Sequence, residues 1–200
     1  MNFIAHRINT VSELCKLPHN YGVEIDIRSF GKHLILAHDP FVNGEPLEEF
    51  LGEYRHGTLI LNVKCEAIEW EILELLKKYS IHDYFFLDST FPMITKLIKA
   101  GEDQLAIRYS EYESIETAFK LAGKVNWIWV DVFTHMPMKK DLCQLIHEKD
   151  YQTCLVSPEL VGRPSEIEAY AEIIKEQAIK FDAICTKSHE IDRWKHCLNL

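Results

Sequence analysis

Short runs of apolar residues, rich in β-branched and aromatic side chains, recur along this chain, and each is followed by a segment whose apolar positions fall at helical spacing. Residues 3–5 precede a short helix capped at Thr10 or Ser12 and running to about Leu17. Residues 23–37 read as a strand, a tight turn and a return strand, and an acidic helix over 46–54 follows. Thereafter the rhythm is regular. Strands over 58–64, 84–87, 105–109, 127–133, 153–156 and 183–186 are followed by helices over 67–79, 92–99, 115–121, 137–148, 164–179 and 191–197. Pro92 opens one of these helices, and Gly101 and Gly123 close two of them. Eight strand–helix pairs whose strands are apolar on both faces predict an α/β fold. The form expected is a compact (β/α)8 barrel of the TIM type, with a β-hairpin insertion after strand 2, built as one domain over residues 1–200. The alternative, a doubly wound open sheet, normally carries a Gly-rich phosphate loop after an early strand, and only eight glycines are present. No linker, repeat or low-complexity tract interrupts the pattern.

Composition narrows the partners. A hydrophobic content of 47% is enough to bury a full core at this length. The formal net charge of −9 argues against nucleic acid as a partner, because no surplus of basic residues is available to neutralise phosphates, although local basic residues can still bind one. The start, MNFIAHRINT, lacks the basic and apolar regions of a secretory signal, and no stretch is apolar enough to predict an integral membrane segment. Six scattered cysteines without a CxxC pair suggest neither a zinc site nor a disulfide framework, so a reduced, cytoplasmic setting is expected.

The chemistry concentrates in residues 23–40, VEIDIRSFGKHLILAHDP. Alternation puts Glu24 and Asp26 on one face of a strand, with Val23, Ile25 and Ile27 on the other. A hairpin turn at residues 30–32 then brings His38 and Asp39 back toward them. Two acids at i and i+2 with an imidazole nearby can hold a hard divalent cation next to a proton-transfer group. In a barrel of this kind the site lies at the C-terminal ends of the strands. Those ends supply His6 and Arg7, Glu24, Asp26 and Arg28, His38 and Asp39, then Asn62 and Lys64. Carboxylates for a metal, cations for anionic oxygens and two imidazoles for proton exchange are the components of phosphoester chemistry.

This ordered set, His6-Arg7, Glu24-Ile25-Asp26, His38-Asp39 and Lys64, resembles the glycerophosphodiester phosphodiesterase family of the phosphatidylinositol-phospholipase-C-like barrel superfamily. The resemblance is specific through the first third of the chain. It implies that Glu24 and Asp26, with Asn62, bind one divalent cation, calcium or magnesium. It further implies that His6 and His38 are the general base and acid, and that Arg7 and Lys64 hold the phosphate of a small phosphodiester, with Lys64 also neutralising charge in the transition state. The chain departs from the family pattern in three places. Asn62 stands where the family usually has an acid, the stretch between Arg7 and the Asn9-Thr10 pair is shortened, and Lys187 follows Thr186 where the family more often has Asp.

The expected activity is hydrolysis of a small glycerol- or sugar-phosphodiester. Two alternatives stay open: a phospholipase-like lyase that leaves a cyclic phosphate, and a barrel that binds phosphorylated ligands without turnover. Asp88, Asp131 and Glu159 also fall at predicted strand ends, where a replacement ligand, a helix cap and a lysine partner are all open readings. Trp127 and Trp129 read as core, and His135, His147, His189 and His196 as surface.

Overall fold

A computed structural model describes all 200 residues. In chain order the elements are β1 (Asn2–Ala5), α1 (Val11–Leu14), β2 (Gly22–Phe30), β3 (His33–Leu36), β4 (Glu45–Pro46) and α2 (Leu47–Glu53). They continue with β5 (Leu59–Val63), α3 (Glu69–Lys78), β6 (Tyr84–Leu87), α4 (Phe91–Lys99), β7 (Ala106–Tyr109) and α5 (Ile115–Phe119). The last are β8 (Trp127–Val130), α6 (Lys140–His147), β9 (Gln152–Val156), α7 (Ile167–Glu176), β10 (Ala183–Thr186) and α8 (Ile191–Leu198). The fold is mixed α/β, and the chain divides into two compact units, residues 6–104 and residues 1–5 with 105–200.

In the unit of residues 6–104, β2 pairs in parallel with β5, and β5 with β6. The far half of β2 pairs antiparallel with β3, which in turn pairs with β4. Gly31 takes the positive φ of +62° that suits the first residue of a two-residue hairpin turn. Gly44 is required for a different reason: a Cβ there would lie 2.0 Å from the Leu36 carbonyl oxygen, so only glycine lets the loop after β3 return alongside it. Ile25, Ile27, Leu59, Leu61, Phe85 and Phe86 fill the core, with α2, α3 and α4 contributing Phe50, Ile72 and Leu97.

The other unit is a parallel sheet in the order β1-β10-β9-β8-β7. Its strands are mostly apolar on both faces, as suits parallel strands covered by helices. Trp127 and Trp129 are buried, as expected of core residues, and Trp129 Nε1 donates to Asp131. Trp194 of α8 is fully buried and donates to Ser157 Oγ at 2.7 Å.

Several expected elements are shorter than their sequence patterns, two of them markedly. The strand expected over residues 127–133 stops at Val130; the Asp131 N–H still donates to the Tyr109 carbonyl at 2.9 Å, and its side chain pairs with Arg108. The helix expected over 164–179 begins as a 3-10 turn at Pro164–Glu166 and is α-helical only over Ile167–Glu176. The two-residue strand β4 was not expected at all.

Trp194→Ala removes the largest fully buried side chain, and should lower the free energy of unfolding by about 3–5 kcal/mol in urea denaturation. A loss below about 1 kcal/mol would contradict the packing described, since so small a cost is typical of surface positions.

Candidate functional site

Glu24 and Asp26 are both completely buried, and lie at the centre of a contact network. Strand alternation explains their shared face, and the β2–β5 register explains their neighbour: Asp26 sits opposite Asn62. Asn62 Nδ2 donates to Glu24 Oε1 at 2.8 Å. The other oxygen of Glu24 accepts from the Arg7 backbone N–H at 2.7 Å and lies 3.8 Å from His6 Nε2. Arg7 has φ +55°, a left-handed conformation uncommon for a residue with a side chain. Asp26 Oδ2 accepts from Asn9 Nδ2 at 2.9 Å and lies 3.7 Å from Arg7 Nε. Asn9 works in both directions, because its Oδ1 accepts from the Asp26 backbone N–H at 2.9 Å.

Lys64 Nζ stands 3.4 Å from Asp26 Oδ1 and 3.5 Å from Asp88 Oδ2, so its ammonium is held between two carboxylates. His6, Arg7, Glu24, Asp26, Asn62 and Lys64 are therefore brought together as one group. His38 is connected to it differently. Its ring Nδ1 pairs with Asp39 Oδ1 at 2.7 Å, while Arg28 donates from Nε and Nη2 to the His38 carbonyl and from Nη1 to the Lys64 carbonyl. Arg28 thus fixes the loop carrying His38 to the end of β5.

Burial raises the pKa of Glu24 to about 7, and the neighbouring charge of Asp26 pushes in the same direction. The hydrogen bonds from Asn62 and Arg7 and the charge of Lys64 oppose that rise. Asp39 is fully exposed, and its pKa is lowered by the hydrogen bond and charge of His38.

Two buried oxygens of this group have no hydrogen bond, Asp26 Oδ1 and Asn62 Oδ1. Buried acceptors are normally satisfied, so Asn62 Oδ1, and Asp26 Oδ1 with the Lys64 ammonium 3.4 Å away, are the oxygens of this group that could take an electrophilic partner. Hard divalent cations take oxygen ligands of this kind. No cluster of three or more His, Cys, Asp or Glu is arranged for a metal, and the donor set that could hold one here is two carboxylates and one amide. It suits calcium or magnesium better than zinc, whose sites favour nitrogen and sulfur.

The other acids at strand ends have protein partners. Asp131 pairs with Arg108, and Glu159 accepts from Ser157 Oγ, Thr186 Oγ1 and the Lys187 N–H. Asp88 is a lysine partner. His147, read as surface, is half-buried, with Nδ1 3.7 Å from Cys143 Sγ and Nε2 3.2 Å from Asp182 Oδ2. Sequence reasoning missed the bridging work of Asn9 and the clamp made by Arg28. The signal for Asn9 was its place in the Asn9-Thr10 pair shortly after Arg7, which carried no hint of a bond to Asp26.

No family model matches the sequence, and no curated protein matches it. Solved structures with a similar fold exist. One is a glycerophosphodiester phosphodiesterase from Agrobacterium tumefaciens str. C58, with a TM-score of 0.65 and 14% identity, covering 92% of this chain and 96% of that one. Another is a glycerophosphoryl diester phosphodiesterase from Parabacteroides distasonis ATCC 8503, with a TM-score of 0.66 and 13% identity, covering 98% of this chain and 86% of that one. The likeness is one of fold across nearly the whole chain.

Asn9→Ala would strand both the Asp26 N–H and one oxygen of the buried carboxylate, at about 1–3 kcal/mol for each unsatisfied group. Chemical denaturation should show that loss in metal-free protein. Stability equal to wild type would mean that Asn9 does not hold Asp26.

Proposed function

We propose that this chain is a phosphodiesterase that depends on a divalent cation and hydrolyses a small glycerol- or sugar-phosphodiester. On this reading the chain is a single domain whose strands close into a (β/α)8 barrel, with the β2–β3 hairpin as an insertion, and it works in a reducing compartment. The observation that carries the reading is the buried Glu24–Asp26 pair, surrounded by His6, Arg7, Asn62 and Lys64, with Asn62 Oδ1 left without a hydrogen bond and Asp26 Oδ1 facing the Lys64 ammonium. Similarity in fold to two glycerophosphodiester phosphodiesterases supports it.

Glu24, Asp26 and Asn62 would hold the cation, calcium or magnesium. When bound, it would polarise the phosphoryl group and neutralise its charge. Lys64, steadied between Asp26 and Asp88, binds a phosphate oxygen and offsets the negative charge that grows during attack. Arg7 contributes a second cation, its backbone already committed to Glu24. His6 takes the proton of the attacking water, and Glu24 next to it favours the protonated imidazole that results. His38 returns a proton to the departing alcohol oxygen. Its bond to Asp39 keeps Nδ1 occupied and leaves Nε2 for that transfer.

The test is release of free alcohol from a panel of glycerophosphodiesters in the presence of calcium, magnesium, manganese or EDTA. Wild-type protein should turn over at least one diester, and EDTA should abolish the reaction. His6→Ala and His38→Ala should each lower kcat by about 10²–10⁴-fold without loss of fold. Full activity in both variants would overturn the assignment of roles. In the same assay Asn62→Glu, which adds a charged ligand, should lower the cation concentration needed for half-maximal rate. An unchanged requirement would remove Asn62 from the cation site.

A further inference from the structure

Cys143 and His147 stand four residues apart on α6, which puts their side chains on one face of the helix. That face meets the segment entering β10. His147 Nε2 lies 3.2 Å from Asp182 Oδ2, and the same oxygen accepts from the N–H and the hydroxyl of Thr153 at 2.8 and 3.2 Å. An ionised carboxylate only accepts, so the ring proton is assigned to Nε2. Nδ1 then carries a lone pair, and it faces Cys143 Sγ at 3.7 Å. The sulfur also donates to the Lys180 carbonyl oxygen at 3.4 Å.

The thiol has one proton, and two acceptors face it. Serving the Lys180 carbonyl leaves Nδ1 unserved, and the reverse is equally true. A cation in place of that proton would satisfy sulfur, nitrogen and oxygen together. The spacing suits one of the zinc kind. With the zinc–sulfur, zinc–nitrogen and zinc–oxygen distances usual in proteins, a tetrahedral ion holds the sulfur about 3.6 Å from either partner. The observed 3.7 and 3.4 Å lie on the two sides of that value. Behind the ring, Asp182 is placed as carboxylates are at metal-bound imidazoles, where they fix the tautomer and raise the basicity of the ligating nitrogen.

Access is from a cavity of about 720 Å³ lined by these groups together with Lys140 and Glu148. Its two lysines are matched by the carboxylates of Glu148 and Asp182, so no surplus of positive charge keeps a cation out. A nucleophilic thiol fits the same place less well. Cys143 is only 3% exposed, which admits a bare ion more readily than an electrophile of several atoms, and its N–H is bonded to the Lys139 carbonyl and is not free to hold an oxyanion.

We propose that Cys143 Sγ, His147 Nδ1 and the Lys180 carbonyl oxygen bind one divalent cation of the zinc class, with Asp182 as the positioning residue behind the imidazole. Asp182 sits on the far ring nitrogen, so the site has two side-chain ligands, one main-chain oxygen and an open fourth position, unlike a closed structural zinc site. It joins α6 to the entry of β10 and shares no residue with the group around Glu24, so it does not depend on the phosphodiesterase reading.

Titration of the whole chain, its cysteines reduced, with cobalt(II) as a spectroscopic substitute for zinc tests the site. Wild-type protein should develop a sulfur-to-cobalt charge-transfer band that saturates at one equivalent, that zinc removes and that magnesium leaves in place. Cys143→Ser and His147→Gln should each lose the band with circular dichroism unchanged. Should Cys143→Ser fail to fold, His147→Gln, at a half-buried ring, carries the test. Asp182→Asn should keep the band while zinc affinity falls by about 10–100-fold. Zinc should also raise the melting temperature of wild type more than that of His147→Gln. A band that survives Cys143→Ser would belong to the more open thiols of Cys15, Cys65 and Cys197 and would overturn the assignment. Absence of a band in wild-type protein under excess cobalt would overturn it as well, and equal zinc affinity in Asp182→Asn would overturn the part given to Asp182.

Discussion

Two carboxylates without solvent contact, two residues apart on one strand, are the constraint to which the rest of this site answers. An isolated buried charge is expensive, and a second one beside it more so. The neighbours of Glu24 and Asp26 read as responses to that cost. Arg7 turns its backbone into a left-handed conformation and gives one N–H, Asn62 and Asn9 give amide protons, and Lys64 and Arg7 bring positive charge. These responses are incomplete, because Asp26 Oδ1 and Asn62 Oδ1 keep no hydrogen bond and burial still raises Glu24. On the reading proposed above, these acceptors are where a divalent cation would enter.

The same logic extends one layer outward. His38 lies on a loop, the kind of segment that ordinarily varies in position, and Arg28 removes that freedom by bonding its carbonyl and that of Lys64 with one guanidinium. Because Arg28 belongs to the same strand and face as Glu24 and Asp26, a single strand sets both the carboxylates and the loop with the second imidazole. Gly44 completes the path of that loop where no side chain fits.

Much of this was legible in the sequence, for identifiable reasons. The period-2 alternation of residues 23–28 placed Glu24 and Asp26 on one face, and the runs at 59–63, 84–87 and 183–186 are bounded by turn residues that mark their ends to within a residue. What escaped reading was nonlocal or too short. Asn9 meets Asp26 across a separation of 17 residues, and Arg28 meets the Lys64 carbonyl across 36. Side-chain bonds of this range leave no periodic trace. Strand β4 has two residues and no pattern, and the strand expected over 127–133 ends at Val130, its composition alone favouring a longer run. Asn62 was visible as a departure from the family pattern, but only the register of β2 against β5 explains its place, opposite Asp26 and bonded to Glu24.

The central claim is that the buried pair and its amide neighbour form a cation site, and calorimetric titration of metal-free protein with calcium and with magnesium addresses it most directly. The account predicts one equivalent of divalent cation per chain, with binding lost in Asp26→Asn, whose amide keeps the shape of the carboxylate but not its charge. Absence of binding up to millimolar cation in the wild-type protein, or equal binding by Asp26→Asn, would contradict it.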